Sequence, residues 1–297
     1  MEEEGIHSIQ YDTAVIVMLV GVLQANKHAV TTLQNGDHDQ AMECFRQALQ
    51  GLKQCIINVE HLSKEQDSNG CPNNCRANVD AERCGDKARG DAERRGDDAR
   101  GDDEKDKDED RDSNLKIEFV PLVSSESLDD ERTTSPMNHF FLYSRAVVLW
   151  TPDDDIDATH PCKESMKNYT LLSSVLLFNM ALSLHRKGLV PPAGNSSNKN
   201  FRTSLRLYDM IAGLHTGDNG GDLPHVIKLA VWNNIGHITS HVGDQERATH
   251  CRAQLSQALL QDQSSTQLTT EEYAFFYLST LCLVVRRCIT NSSQIHT

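Results

Sequence analysis

Three segments of this chain set small and apolar residues at the same distances from a glycine. That recurrence constrains the fold more than any other feature, because a repeat decides the architecture before its separate elements do. In the first segment Ala29 stands seven residues before Gly36, and Ala41, Phe45 and Ala48 follow at five, nine and twelve. In the third, Gly236, Gly243, Ala248, Arg252 and Leu255 keep the same spacing. In the second, Ala181 again stands seven before Gly188, but an insertion over residues 190–200, with Pro191, Pro192 and Asn195, delays the other half. Ser204, Tyr208 and Ile211 then resume the steps of four and three. Each segment predicts a helix, a glycine able to turn left-handed at its end, and a second helix packed back antiparallel. Small residues before and after the glycine let the two helices cross closely. The aromatic at plus nine fills the space between neighbouring units.

This order of small, glycine, small, aromatic and small positions resembles the tetratricopeptide repeat, over roughly 100 residues in three units. Trp232 matches that family's early aromatic in the first helix of a unit. Arg252 in place of an aromatic, Ser204 in place of alanine, no proline at the unit ends and the insertion in unit two make the repeats degenerate. The resemblance implies a mainly α fold, antiparallel hairpins wound into an α-α superhelix, with the first helices lining a concave surface where ligands bind. Carried onto this chain, the corresponding groove positions are Asn26, Val30, Leu33 and Gln34 in unit one and Phe178, Leu182, His185 and Arg186 in unit two. Unit three supplies Asn233, His237, Ser240 and His241. Asparagines in such a groove suit an extended peptide, because one side-chain amide both donates to and accepts from a backbone. A clamp for a terminal carboxylate is not expected, since Ala29-Val30 and Gly236-His237 stand where that subclass has Gly-Asn.

Between units one and two the composition changes. Residues 85–112 hold 13 acidic and 8 basic side chains, with Ala88, Ala92 and Ala99 as the only apolar ones. Such a tract cannot bury enough surface to offset the entropy of ordering it. The domain reading is therefore N-terminal helices with the first hairpin over 1–65, a disordered acidic low-complexity insertion over 66–114, and a β element with the remaining hairpins over 115–297. The two outer parts form one structural domain. Residues 115–123 and 139–150 are β-branched and aromatic, which predicts a small two-stranded element lying on the helices, with Pro121 at an edge or an end. Near the close, Thr269 and Glu272 stand at capping-box spacing. Phe276, Tyr277, Thr280, Leu281 and Val284 then make one stripe of a helix that covers the last unit.

Chemistry is harder to find. The chain has no Walker loop, dinucleotide fingerprint, Gly-x-Ser-x-Gly or His-Glu-x-x-His, so no catalytic residue is assigned. Cys71, Cys75 and Cys84 lack a fourth zinc ligand, and His237 and His241, one helical turn apart, lack carboxylate or thiolate partners, so no metal or cofactor is expected. Of nine cysteines, Cys44, Cys55, Cys162, Cys251, Cys282 and Cys288 lie far apart and read as reduced, buried thiols. A net charge of −14 opposes nucleic-acid binding. The apolar runs are too short for a membrane span and the acidic start is no secretory signal, which points to the cytoplasm or nucleus. The functional expectation is a non-enzymatic scaffold binding an unknown protein or peptide in its groove. A self-associating repeat protein is the first alternative. A small-molecule binder or enzyme using the imidazole-rich end of the groove is the second.

Overall fold

The computed structural model describes residues 3–69, 115–122, 142–150, 164–190, 196–215, 223–261 and 268–281. Among them the chain is mainly helical, with one two-stranded antiparallel sheet. The order is α1 (Glu3–Gln34), α2 (His38–Asn69), β1 (Lys116–Pro121), β2 (Arg145–Trp150), α3 (Glu164–Leu189), α4 (Ser196–Leu214), α5 (His225–Val242) and α6 (Gln245–Gln261), followed by α7 over 270–281. α2 therefore runs into the first residues of the stretch expected to be an insertion. The rest of that stretch, with Cys71, Cys75, Cys84 and the charged tract, lies outside the described residues.

Consecutive helices pack as α1 with α2, α3 with α4 and α5 with α6, and the pairs join through α2 against α3 and α4 against α5. The second helix of each pair is amphipathic. α2 buries Ala41, Phe45, Ala48, Leu52 and Cys55, and α4 buries Phe201, Ser204, Tyr208 and Ile211, in steps of three and four that keep one stripe inward. The first helices are buried on more than one side: α3 encloses every residue from 174 to 183, and α5 every residue from 233 to 239.

The hairpin turns of units one and three are alike: Asp37 N–H donates to the Thr32 carbonyl as Asp244 N–H does to that of Thr239, although the Gly36 N–H reaches Leu33, three residues back, and the Gly243 N–H reaches Thr239, four back. Gly36 and Gly243 have φ of 83° and 84°, a left-handed conformation that ends the helix without a Cβ clash. Behind each, an aspartate starts the next helix: the Oδ1 of Asp37 accepts from Gln40 N–H at 3.0 Å, and that of Asp244 from Arg247 N–H at 3.1 Å. Unit two departs. Gly188 is absent from the left-handed glycines; it is buried within α3, where an added Cβ would lie 2.7 Å from Phe201 Cε1. Here glycine permits the closeness of α4 rather than a turn. Ser204 Oγ donates to the Ala181 carbonyl at 2.7 Å, so the predicted crossing of small residues is closed by a hydrogen bond where an alanine was expected.

The two strands are shorter than the apolar runs that announced them, and Pro121 is the last residue of β1. Lys116 lies opposite Trp150, Phe119 opposite Val147 and Pro121 opposite Arg145. In α7 the predicted stripe is only half inward. Phe276 and Thr280 are buried, joined by Glu272 and Ser279, whereas Tyr277 and Leu281 face outward; Val284 lies outside the described residues. The capping box is present, with Thr269 N–H donating to Glu272 Oε2 at 3.1 Å and Glu272 N–H to Thr269 Oγ1 at 3.2 Å.

Candidate functional site: a strand held by helix amides

In a regular antiparallel pair, alternate residues turn their backbone groups towards the partner strand and the rest turn them away. Leu122 N–H donates to the Ser144 carbonyl at 3.0 Å, which places the even-numbered residues of the second strand on the side of β1. The odd-numbered ones, Tyr143 and Val147 among them, aim their N–H and C=O at the helices.

Asparagines meet them there. On α3, Asn179 Oδ1 accepts from Val147 N–H at 2.9 Å while its Nδ2 donates to the Val147 carbonyl at 2.8 Å. On α1, Asn26 Nδ2 donates to the same carbonyl at 3.1 Å, and its Oδ1 accepts from Asn179 Nδ2 at 3.0 Å. On α5, Asn234 repeats the clasp one step along: Oδ1 accepts from Tyr143 N–H at 3.0 Å and Nδ2 donates to the Tyr143 carbonyl at 3.2 Å. Its second amide hydrogen goes to Tyr208 Oη at 3.1 Å, and Asn233 Nδ2 donates to its Oδ1 at 3.2 Å. All three amides are buried, so their hydrogen bonds form in a low-dielectric setting where an unpaired group is costly. They stand where a third strand would be.

β2 therefore behaves as a central strand. Ala146, Val147, Val148 and Leu149 are all buried, which requires both faces of the strand to be covered. The end of β1 is fixed by the last turns of α1 and α3, where Gln34 Nε2 donates to the Pro121 carbonyl at 3.4 Å and Arg186 Nη1 to that of Leu122 at 3.0 Å. The start of the second strand is tied to α7. Tyr143 Oη donates to Glu272 Oε1 at 3.3 Å, Arg145 Nη1 lies 3.4 Å from the same oxygen, and the Tyr143 ring stacks on Phe276 at 5.1 Å between centroids. Burial first, and the Glu272 charge second, hold the Tyr143 phenol well above its ordinary pKa.

The imidazoles form a second cluster. His185 Nε2 and His237 Nδ1 lie 3.0 Å apart, linking α3 to α5, and the His185 ring meets Phe201 and Tyr208 edge-on. His241 is exposed and packs against Phe201. At the α2–α3 joint, His38 Nδ1 lies 3.3 Å from Ser183 Oγ, and Lys187 pairs with Asp39. Burial lowers the His38 pKa, and the nearby Arg186 and Lys187 charges lower it further. Among the described residues no group of three or more His, Cys, Asp or Glu is placed to hold a metal. Cys44, Cys55 and Cys251 are free thiols, and burial pushes that of Cys251 up to about 12. Among the described residues no helix is long and apolar enough to cross a membrane.

The groove positions read from sequence thus have unequal fates. Asn26, Val30, Leu33, Phe178, Leu182, His185, Asn233 and His237 are buried, so they do not line an open surface; Gln34, Arg186 and Ser240 are half-buried. The causes differ: Asn26 is buried against the chain's own second strand, whereas Phe178 packs on Tyr208, and His185 and His237 lie against each other between helices, with Phe201 and Tyr208 beside His185. Asn26, Gln34 and Arg186 do meet an extended backbone, that of this chain. Asn179 and Asn234 were missed by one residue each, being the neighbours of Phe178 and Asn233. A signal for them existed, since both stand nine residues before the glycine of their unit.

No protein family, no curated protein and no solved structure matches this chain.

Proposed function

We propose that this protein is a non-enzymatic interaction scaffold of tetratricopeptide-like architecture, acting inside the cell, whose inner helices form a receptor for an extended peptide. The chain's own second strand occupies that receptor as a pseudo-ligand. One observation carries the reading: Asn26, Asn179 and Asn234, on three different helices, bind the extended segment through its backbone atoms. Backbone recognition is tolerant of side-chain sequence, so a partner with small and β-branched residues at the positions of Ala146, Val147 and Val148 meets the same donors and acceptors. Preformed helices also lower the ordering cost of binding. Exchange starts at the half-buried ties of Gln34 to Pro121 and Arg186 to Leu122.

A fluorescein-labelled peptide of residues 142–150, titrated into the full chain and into a Gln34→Ala/Arg186→Ala variant, tests this. The variant is expected to bind several-fold more tightly, because its own strand competes less well. If neither protein binds the peptide at micromolar concentrations, or if the variant binds no better, the receptor reading fails.

A further inference from the structure

The sheet has a second edge, and its residues are self-complementary. Because Lys116, Glu118 and Val120 turn their backbone groups towards β2, Ile117 and Phe119 turn their N–H and C=O outward. Among the described residues no strand pairs with that side of β1. Near Pro121 the outward carbonyl is taken by Gln34, so the open stretch runs over residues 115–119. An open edge of this kind is a template for another strand.

Antiparallel pairing with a copy of itself, centred on Ile117, sets Leu115 against Phe119 of the second copy, Ile117 against Ile117, and Lys116 against Glu118. Leu115, Ile117 and Phe119 are all half-buried, whereas Lys116 and Glu118 are exposed. The odd-numbered residues then form hydrogen-bonded pairs, each exchanging two N–H···O bonds. Lys116 and Glu118 fall at the non-hydrogen-bonded positions, where side chains approach most closely and opposite charges attract. Lys116 Nζ lies 5.0 Å from the ring centroid of Trp150 on the β2 side, so its flexible stem swings towards the open edge to meet Glu118 of the second copy. Centring on Glu118 instead would oppose two carboxylates, so charge selects the register. The preferred pairing also ends before Pro121, which has no N–H to give. We propose that two copies of this chain associate through β1, making a continuous four-stranded sheet across a two-fold axis.

Such an interface is isologous, so each charge pair occurs twice and a single substitution acts at both. Sedimentation velocity of the full chain between about 1 and 100 µM is expected to show a dimer that dissociates on dilution. Glu118→Lys puts lysine against lysine at both sites and is expected to weaken the dimer at least tenfold. Lys116→Glu/Glu118→Lys restores opposite signs at both and is expected to return the dissociation constant to within threefold of the parent. All three proteins should keep the same far-ultraviolet circular dichroism, since both positions are exposed. A chain that stays monomeric at 100 µM, a dimer indifferent to Glu118→Lys, or a double variant no better than the single one would overturn the proposal.

Discussion

Asn179 on α3 takes both the N–H and the C=O of Val147, at 2.9 and 2.8 Å, so one side-chain amide does for β2 what a neighbouring strand would otherwise do. Removing it leaves the Val147 N–H buried without that acceptor, while Asn26 still reaches the carbonyl. Asn179→Leu, which keeps the branching at Cγ but is bulkier and cannot hydrogen-bond, is expected to destabilise the fold by about 2–4 kcal/mol, read as a shift in the urea unfolding midpoint. A loss below about 0.5 kcal/mol would show that the amide bonds contribute little net stability.

Two glycines are expected to resist substitution for different reasons. Gly188→Ala drives a Cβ to 2.7 Å from the Phe201 ring, so it should cost about 1–3 kcal/mol as overpacking. Phe201→Leu in the same chain should recover part of that cost. Gly243→Ala meets nothing within 4 Å, and its penalty, about 1–2 kcal/mol, comes from the left-handed φ of 84° alone. No repacking partner should relieve it, although Gly243→Asn should be milder. Thermal melts of the four variants distinguish the two cases.

Acid should weaken the α2–α3 joint. His38 has its pKa lowered in the folded chain by burial and by the Arg186 and Lys187 charges, with Asp39 and Asp37 opposing. Below about pH 6.5 the unfolded chain takes up a proton that the folded chain refuses, so stability falls as pH drops through that value. The decline ends once the pH is below the folded pKa. His38→Gln should flatten this component, whose ceiling is about 1.4 kcal/mol per pH unit, in urea titrations at pH 7.5 and 5.5. An unchanged pH slope would remove His38 from the account.

Alkali should act at the strand's other end. The Tyr143 phenol is raised by burial and by Glu272, and burial likewise raises that of Tyr208, whose oxygen accepts from Asn234. The unfolded phenols ionise near pH 10 while the folded ones stay neutral, so stability should fall as pH rises above about 10. Ultraviolet titration should find part of the tyrosine absorbance change delayed until unfolding. Glu272→Gln should bring the Tyr143 transition down, since it removes the second of its two main causes.

Sequence legibility followed the range of the interactions. The hairpin turns were readable because they are local: a left-handed glycine and the helix that follows act within about ten residues, and Gly36 and Gly243 behave as their spacing predicts. Thr269 and Glu272 cap α7 for the same reason. Gly188 was misread because the atom that demands it belongs to Phe201, thirteen residues on in the next helix. Tyr277 and Leu281 were placed inward because helical periodicity finds an apolar stripe without fixing which part of it meets a neighbour. The inner face shows the same limit. Asn26 was among the residues singled out there, whereas Asn179 and Asn234, which clasp the strand, and the strand itself as occupant were not.

By itself the sequence determined the helix pairs, the glycine turns of units one and three and the small sheet, because spacing and residue type carry those. Only the tertiary structure decided that the second strand lies against α1, α3 and α5. Asn26 and Val147 are 121 residues apart, and nothing local to either one signals the other. Their meeting rests on burying both faces of β2 while every inward N–H and C=O that Asn179 and Asn234 reach finds a partner.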